Sequence, residues 1–310
     1  MTGLIFHALI FPGMAFILTG AVFAGFADRK ITARMESRIG PPVLQTLYDF
    51  IKLSVKQTRP SDPRVRRLSL LPPLSTLTAA VLGSLLVWQA VLSKTGGFKG
   101  DFFAITALLA AASVGQLTGG FAAPGGAAAA AGRFRPVNFF LTAELPFFMA
   151  AGVPLLQAGG WFRLAGLASH QSVYGMTAAT ASGAIAFLVV FSTAFAKMSF
   201  SPFDVTETGL QAFSGPQALY SGFQLALHRL TRRVLLFTMP ALLTQLFWGG
   251  MSFHGKAIPV SLLKYGILFG AFIFIRNLSP RMTLYSAFKW HLGPVTAAAT
   301  VAVLLSLFRW

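Results

Sequence analysis

Apolar runs long enough to cross a bilayer recur along most of the 310-residue chain, separated by short polar loops. About 20 apolar residues cover the ~30 Å of hydrocarbon, and on that criterion eight spans are predicted, at 4–26, 70–92, 102–122, 139–157, 173–196, 223–248, 260–275 and 293–307. One stretch breaks the pattern. Residues 28–56 lie between apolar runs yet hold six of the 25 basic residues and three of the eight acids. Gly40-Pro41-Pro42 divides this stretch into a basic first half and a second half in which Leu44, Leu47, Ile51 and Val55 recur at helical spacing. Gln45, Asp49, Lys52 and Lys56 form a polar stripe on a separate face, which predicts a helix over 43–56 lying at a membrane surface. The pattern therefore predicts an all-α polytopic membrane protein: about eight transmembrane helices plus a cytoplasmic surface helix, in a single membrane domain over 1–310.

Charge adds an orientation. The loop 28–68 alone carries ten Lys and Arg residues, from Arg29 to Arg67. Arg133, Arg135, Lys197, Arg276, Arg281 and Lys289 fall on the same side, against Lys94, Lys99, Arg163, Lys256, Lys264 and Arg309 on the other. Positively charged loops face the cytoplasm, so 28–68 is predicted inside and both termini outside. That rule also explains most of the net charge of +17, so nucleic acid is not an expected partner. Only 11% of residues are charged and 55% are hydrophobic, whereas soluble domains carry about 25% charged residues. Residues 1–25 lack a basic start and run straight into the first span, so no cleavable signal is expected.

The informative residues are the acids, because a charge near hydrocarbon costs several kcal/mol unless paired or hydrated. Glu144, in FFLTAELPFF, reads either as an interfacial carboxylate satisfied by Arg135 or Thr142, or as a protonatable site inside the fourth span. Asp204 and Glu207 follow a helix break at Pro202, and their three-residue spacing suits one face of a turn, with an N-cap as the plainer role for Asp204. Arg229, Arg232 and Arg233 share a face of the sixth span, either snorkelling to the surface or lining a hydrated cavity opposite those acids. With zero cysteines and five scattered histidines, the chain offers no thiolate cluster and no metal-ligand spacing, so no cofactor is expected in it.

Four blocks in order carry a family resemblance. The first is Asp28-Arg29-Lys30, Ala33-Arg34-Met35 and Arg38-Ile39-Gly40-Pro41, continuing through Leu44-Gln45, Asp49 and Ile51-Lys52-Leu53. Next come Gly132, Arg135 and Glu144-Leu145-Pro146, then Pro202-Phe203-Asp204, Glu207, Ser214-Gly215 and Tyr220-Ser221-Gly222, and last Arg276, Pro280-Arg281 and Lys289-Trp290. On these the chain resembles the subunit 1 family of respiratory complex I, and more closely its relatives in energy-converting NiFe hydrogenases and formate hydrogenlyases. The resemblance implies a multi-pass component of a prokaryotic cytoplasmic (inner) membrane, at the joint between an ion-pumping arm and a peripheral redox arm. Its implied partners are a hydrogenase-like large subunit, an iron–sulfur small subunit and antiporter-like membrane subunits, in addition to lipid. Iron–sulfur clusters and the NiFe centre are then expected in the partner subunits.

By matched position, Glu144, Asp204 and Glu207 are implied relay residues; Arg135, Arg229, Arg232 and Arg233, from the reading of the residues themselves, are the expected counter-charges on the same ion path. Arg29, Lys30, Arg34, Arg38, Asp49, Lys52, Arg276 and Arg281 are implied in docking. Two departures stand out. The segment Gly40-Pro41-Pro42-Val43-Leu44-Gln45 is contracted relative to complex I, as in hydrogenase-type members, and the loop after Asp204 lacks the further acids usual there. A quinone-site subunit, an independent secondary transporter and a non-conducting anchor are the rival readings. The absence of an internal repeat disfavours the transporter.

Overall fold

In a computed structural model of the chain, the described residues are 13–57, 63–93, 97–118, 127–160, 163–204, 220–253, 255 and 257–308, without the side chains of 63–69, 116–118, 127–141 and 284. They form an all-α structure. In order, the helices are α1 Met14–Met35, α2 Gln45–Val55, α3 Pro63–Leu92, α4 Asp101–Thr118, α5 Ala127–Gln157, α6 Leu164–Tyr174, α7 Ala181–Lys197, α8 Gly222–Phe247, α9 Ala257–Leu278, α10 Leu284–Trp290 and α11 Thr296–Leu307. The π-helical turn His291–Val295 joins α10 to α11. By length and composition, Leu70–Leu92, Ala257–Leu278 and Tyr285–Leu307 can each cross a membrane, and Asp101–Gly115 and Ala181–Lys197 are shorter apolar helices.

Several boundaries move from their predicted places for local reasons. α1 runs nine residues past the predicted end at Phe26, so Asp28, Arg29 and Thr32 ride on a helix rather than in a loop. α5 begins twelve residues before the predicted 139, on a run of alanines that are the best helix formers. Glu144 thereby sits mid-helix instead of one turn from an end. The predicted span 173–196 is split. Gly175, at φ 97, ends α6 in a conformation that glycine adopts without a Cβ clash, and Thr180 caps a new start by accepting from Gly183 N. The last span starts earlier than 293, because α10 and the π turn continue into α11.

α8 is the central post. It is buried along most of its length and packs against α1, α2, α3 and α9, while α5, α7 and α11 form a second group beside it. Trp88 of α3 stacks on Phe237 of α8 at 4.6 Å, and Phe16 of α1 meets the Trp88 ring edge-on at 5.1 Å. Gly20 of α1 leaves room for the Phe237 ring: a Cβ there would lie 2.4 Å from it. Buried hydroxyls on α8 are satisfied within the membrane part, Thr238 donating to Ser84 Oγ at 2.7 Å and Thr231 to the carbonyl four residues back. Beyond the C-terminal end of α8, buried Gln171 donates to Leu246 O and accepts from Gly249 N, both at 2.7 Å, tying α6 to that turn.

α2 lies against α1 and α8 with Gln45, Thr46 and Asp49 turned inward, while Lys52 and Lys56 are exposed. Asp49 accepts from Arg29 at 2.5 Å and from Gln45 at 3.0 Å, and Arg233 donates to Thr46 O at 3.3 Å. Leu44, Leu47, Tyr48, Ile51 and Val55 are exposed, so the apolar stripe is turned away from the protein. Burial pushes the Asp49 carboxyl up, but the Arg29 guanidinium and the Gln45 amide outweigh it and hold it below the ordinary carboxylate value. A carboxyl depressed in this way stabilises the docked helix fully above its free value of about 3.9 and loses that contribution as pH falls through the lower folded value. Because the chain has no native cysteine, a single spin label on α2 reports the docking. Its mobility should stay constant from neutral pH down to the ordinary carboxylate range and rise only below it, whereas Asp49→Asn should be mobile at every pH.

Candidate functional site

Two polar constructions sit where three parts of the chain meet. The first joins α5 to α7. Lys197, the last residue of α7, is fully buried, and its Nζ lies 2.5 Å from Glu144 Oε2. Phe147 stands three residues after Glu144, on the same helix face, and its ring centroid is 4.1 Å from the ammonium. A lysine at a helix C-terminus also gains from the helix dipole. Glu144 Oε1 is buried with no hydrogen-bond partner. Of the two carboxylate oxygens, only one is therefore committed to the lysine.

α7 then ends in a tight turn, Ser199 at φ 52, and the chain passes through Pro202-Phe203 to Asp204, which is buried. Arg232 of α8 reaches this segment: it donates to Ser199 O at 2.6 Å and lies 3.9 Å from Asp204 Oδ2. The turn therefore links the ion pair to the second construction, a cavity of 620 Å³ between the ends of α1, α8 and α9. Arg29, Arg229, Arg232, Arg233, Arg276 and Arg281 line it, against the carboxylates of Asp28, Glu36 and Asp204. Arg276 donates to Asp28 at 2.8 Å, and Glu36 accepts from Arg38. Phe200 lies beside two of the guanidiniums, its ring centroid 5.3 Å from Arg232 and 4.9 Å from Arg276, within cation–π range.

The structure regroups the residues singled out in the sequence. Arg229, Arg232 and Arg233, expected beside an ion path, share one cavity with Arg29, Arg276 and Arg281, expected in docking. Asp204 joins them, while Asp49 faces inward on Arg29. Lys52, Arg34 and Arg38 are exposed and Lys30 is half-buried. Glu207 and the Arg135 side chain lie outside the described residues. The sequence offers Arg135 and Thr142 as local partners for Glu144, yet its ion pair comes from Lys197, which the orientation rule assigns to a loop. Lys197 directly follows the apolar run 183–196, and that position is the available signal. Two further buried groups escape the sequence reading. His228 has both ring nitrogens without a hydrogen-bond partner, and the Tyr220 ring lies 4.6 Å from it. Among the described residues no group of three His, Cys, Asp or Glu is placed to hold a metal ion.

A family model described as NADH dehydrogenase matches residues 8–307. The chain is similar to the H subunit of NADH-quinone oxidoreductase from Geobacillus thermodenitrificans (strain NG80-2), with 31% identity over 313 residues, 94% of this chain and 92% of that protein. The same subunit of Geobacillus kaustophilus (strain HTA426) is 30% identical over 286 residues, 87% of this chain and 83% of that one. Among solved structures, a chain of the membrane-bound sulfane sulfur reductase (MBS), an archaeal respiratory membrane complex, shares the fold. The TM-score is 0.76 over 94% of this chain and 97% of that one, at 20% identity. A model matched almost end to end and relatives alike over most of their length agree with the four sequence blocks: the chain belongs to the NADH dehydrogenase family of multi-pass membrane subunits, the subunit 1 family of complex I-like assemblies.

Proposed function

We propose that this chain is the membrane-anchoring, ion-conducting subunit of a complex I-like energy-converting complex of the hydrogenase type. In this reading it couples electron transfer in docked iron–sulfur and NiFe subunits to ion movement toward antiporter-like membrane subunits. The observation that carries the reading is the buried Lys197–Glu144 pair, with only one carboxylate oxygen committed to the lysine. A proton arriving at Glu144 Oε1 neutralises the carboxylate and deprives the Lys197 ammonium of its counter-charge. An ammonium buried without one costs several kcal/mol, so protonation of Glu144 and proton loss from Lys197 are coupled. Such a pair holds one exchangeable proton whose position follows the neighbouring field.

The hydrogenase branch is supported by the contracted segment Gly40–Gln45 between α1 and α2. A second reading, the quinone-site subunit of a respiratory NADH:quinone oxidoreductase, is favoured by the similarity to the two Geobacillus proteins. In either reading the exposed Arg34 and Arg38, with Lys30 and Lys52, suit an acidic surface on a soluble redox partner, since guanidinium forks bind carboxylates in pairs. The exposed stripe Leu44, Leu47, Ile51 and Val55 suits acyl chains at the cytoplasmic membrane surface, with Asp49 turned back onto the protein. Lys and Arg asymmetry supports placing this face inside.

Two experiments test the reading. Arg34→Glu with Arg38→Glu should detach the soluble subunits in a detergent pull-down while the membrane part still assembles; retention at wild-type levels rejects the docking role. Glu144→Gln should lower ions moved per electron by about tenfold or more, the scale of a lost proton-transfer group. Electron transfer per assembled complex, measured in the same vesicles, should stay near wild type. Unchanged pumping would favour a non-conducting anchor.

A further inference from the structure

Two contacts reach the Lys197 ammonium from a single turn of α5. Glu144 Oε2 lies 2.5 Å from Nζ, and the ammonium stands over the Phe147 ring, 4.1 Å from its centroid. Glu144 and Phe147 are three residues apart on one helix face, so the ammonium is seated between a carboxylate and the flat of a ring. Burial of the three groups is unequal. The Lys197 side chain is 0% exposed and Phe147 1%, whereas the Glu144 side chain keeps 18%.

The face of an aromatic ring carries negative charge, which attracts an ammonium and does little for a neutral amine. An aliphatic side chain of similar bulk would fill the same space without that preference. The carboxylate's attraction is lost when Glu144 takes a proton, and the ring's is not. In a desolvated setting such as this one the ring's attraction lies at the strong end of its range, a preference for the charged lysine of about tenfold or more. We propose that Phe147 is a positioning residue for the proton held by the Lys197–Glu144 pair: its ring face favours the charged lysine, so the shared proton rests on Lys197 and Glu144 rests ionised. This role deepens the reading of the pair as an ion-carrying site and rests on it. The ring offsets only part of what the ammonium loses with the carboxylate, so the coupling of the two residues survives and only its resting point shifts.

Stepwise fluorination tests this, because fluorine draws charge from the ring face while nearly preserving the ring's shape. Phe147 is replaced in the full chain by mono-, di- and trifluorophenylalanine. The unfolding equilibrium constant in detergent is measured for each, in the wild-type background and in Lys197→Met with Glu144→Leu. In the wild-type background the constant should rise with every fluorine, by about tenfold at the third, equivalent to ~1.4 kcal/mol. In the uncharged background the series should be flat, a difference that a packing role alone does not produce. If the double variant does not fold, the reference is the same series at Phe148, which is exposed and packs beside Phe102 and Phe103. A flat series at Phe147, or the same slope in the reference, overturns the proposal. The Glu144→Gln pumping assay decides the ion-carrying reading separately: lost pumping beside a flat series rejects Phe147 alone.

Discussion

A lysine with no solvent contact, 2.5 Å from a glutamate on another helix, constrains everything around it. Neither charge is stable alone in that setting, and breaking such a pair costs about 3–5 kcal/mol because the surviving charge is left uncompensated. The pair therefore fixes the C-terminal end of α7 against the middle of α5. It also sets the start of the turn that carries Ser199, Phe200 and Asp204 toward α8. Arg232 then takes the Ser199 carbonyl, Phe200 lies beside Arg232 and Arg276, and Arg276 reaches Asp28 on α1. One buried ion pair is thus continuous, contact by contact, with the polar end of the helix bundle.

That end differs from the rest of the membrane part. Farther along α8, packing is aromatic and close, with Trp88 stacked on Phe237 and no Cβ permitted at Gly20. At its first turns α8 instead presents arginines to a cavity, and α2 folds over with Asp49 on Arg29 and Thr46 under Arg233. Under the proposed function, this rigid apolar post with a charged head would carry events at a docked surface into changes of field inside the membrane part. The exposed basic residues Arg34 and Arg38 and the buried pair lie at the two ends of that polar system.

Much of this was legible in the sequence. Apolar run length located the helices at 70–92 and 223–248 to within a few residues, apart from the seven-residue extension of α3 before Leu70, because their burial follows directly from composition. Boundaries failed where local chemistry overrode the run: the alanines before α5, and the Gly175–Thr180 break inside an apolar stretch. That Glu144 needs a partner was visible from the cost of its charge, but which partner was not. Lys197 is 53 residues away in the chain and follows an apolar run, so only tertiary packing reveals the contact. The merger of two arginine sets into one cavity was hidden for the same reason, since Arg29 and Arg276 are remote in sequence.

The central claim is that Lys197 and Glu144 act as one unit, and a double-mutant cycle measures it directly. Unfolding free energy in detergent would be compared for wild type, Lys197→Met, Glu144→Leu and the double variant. The account predicts that each single variant is severely destabilised and that the double recovers most of the loss, a coupling of about 3 kcal/mol. Losses that add within about 0.5 kcal/mol would show two independent residues and contradict it.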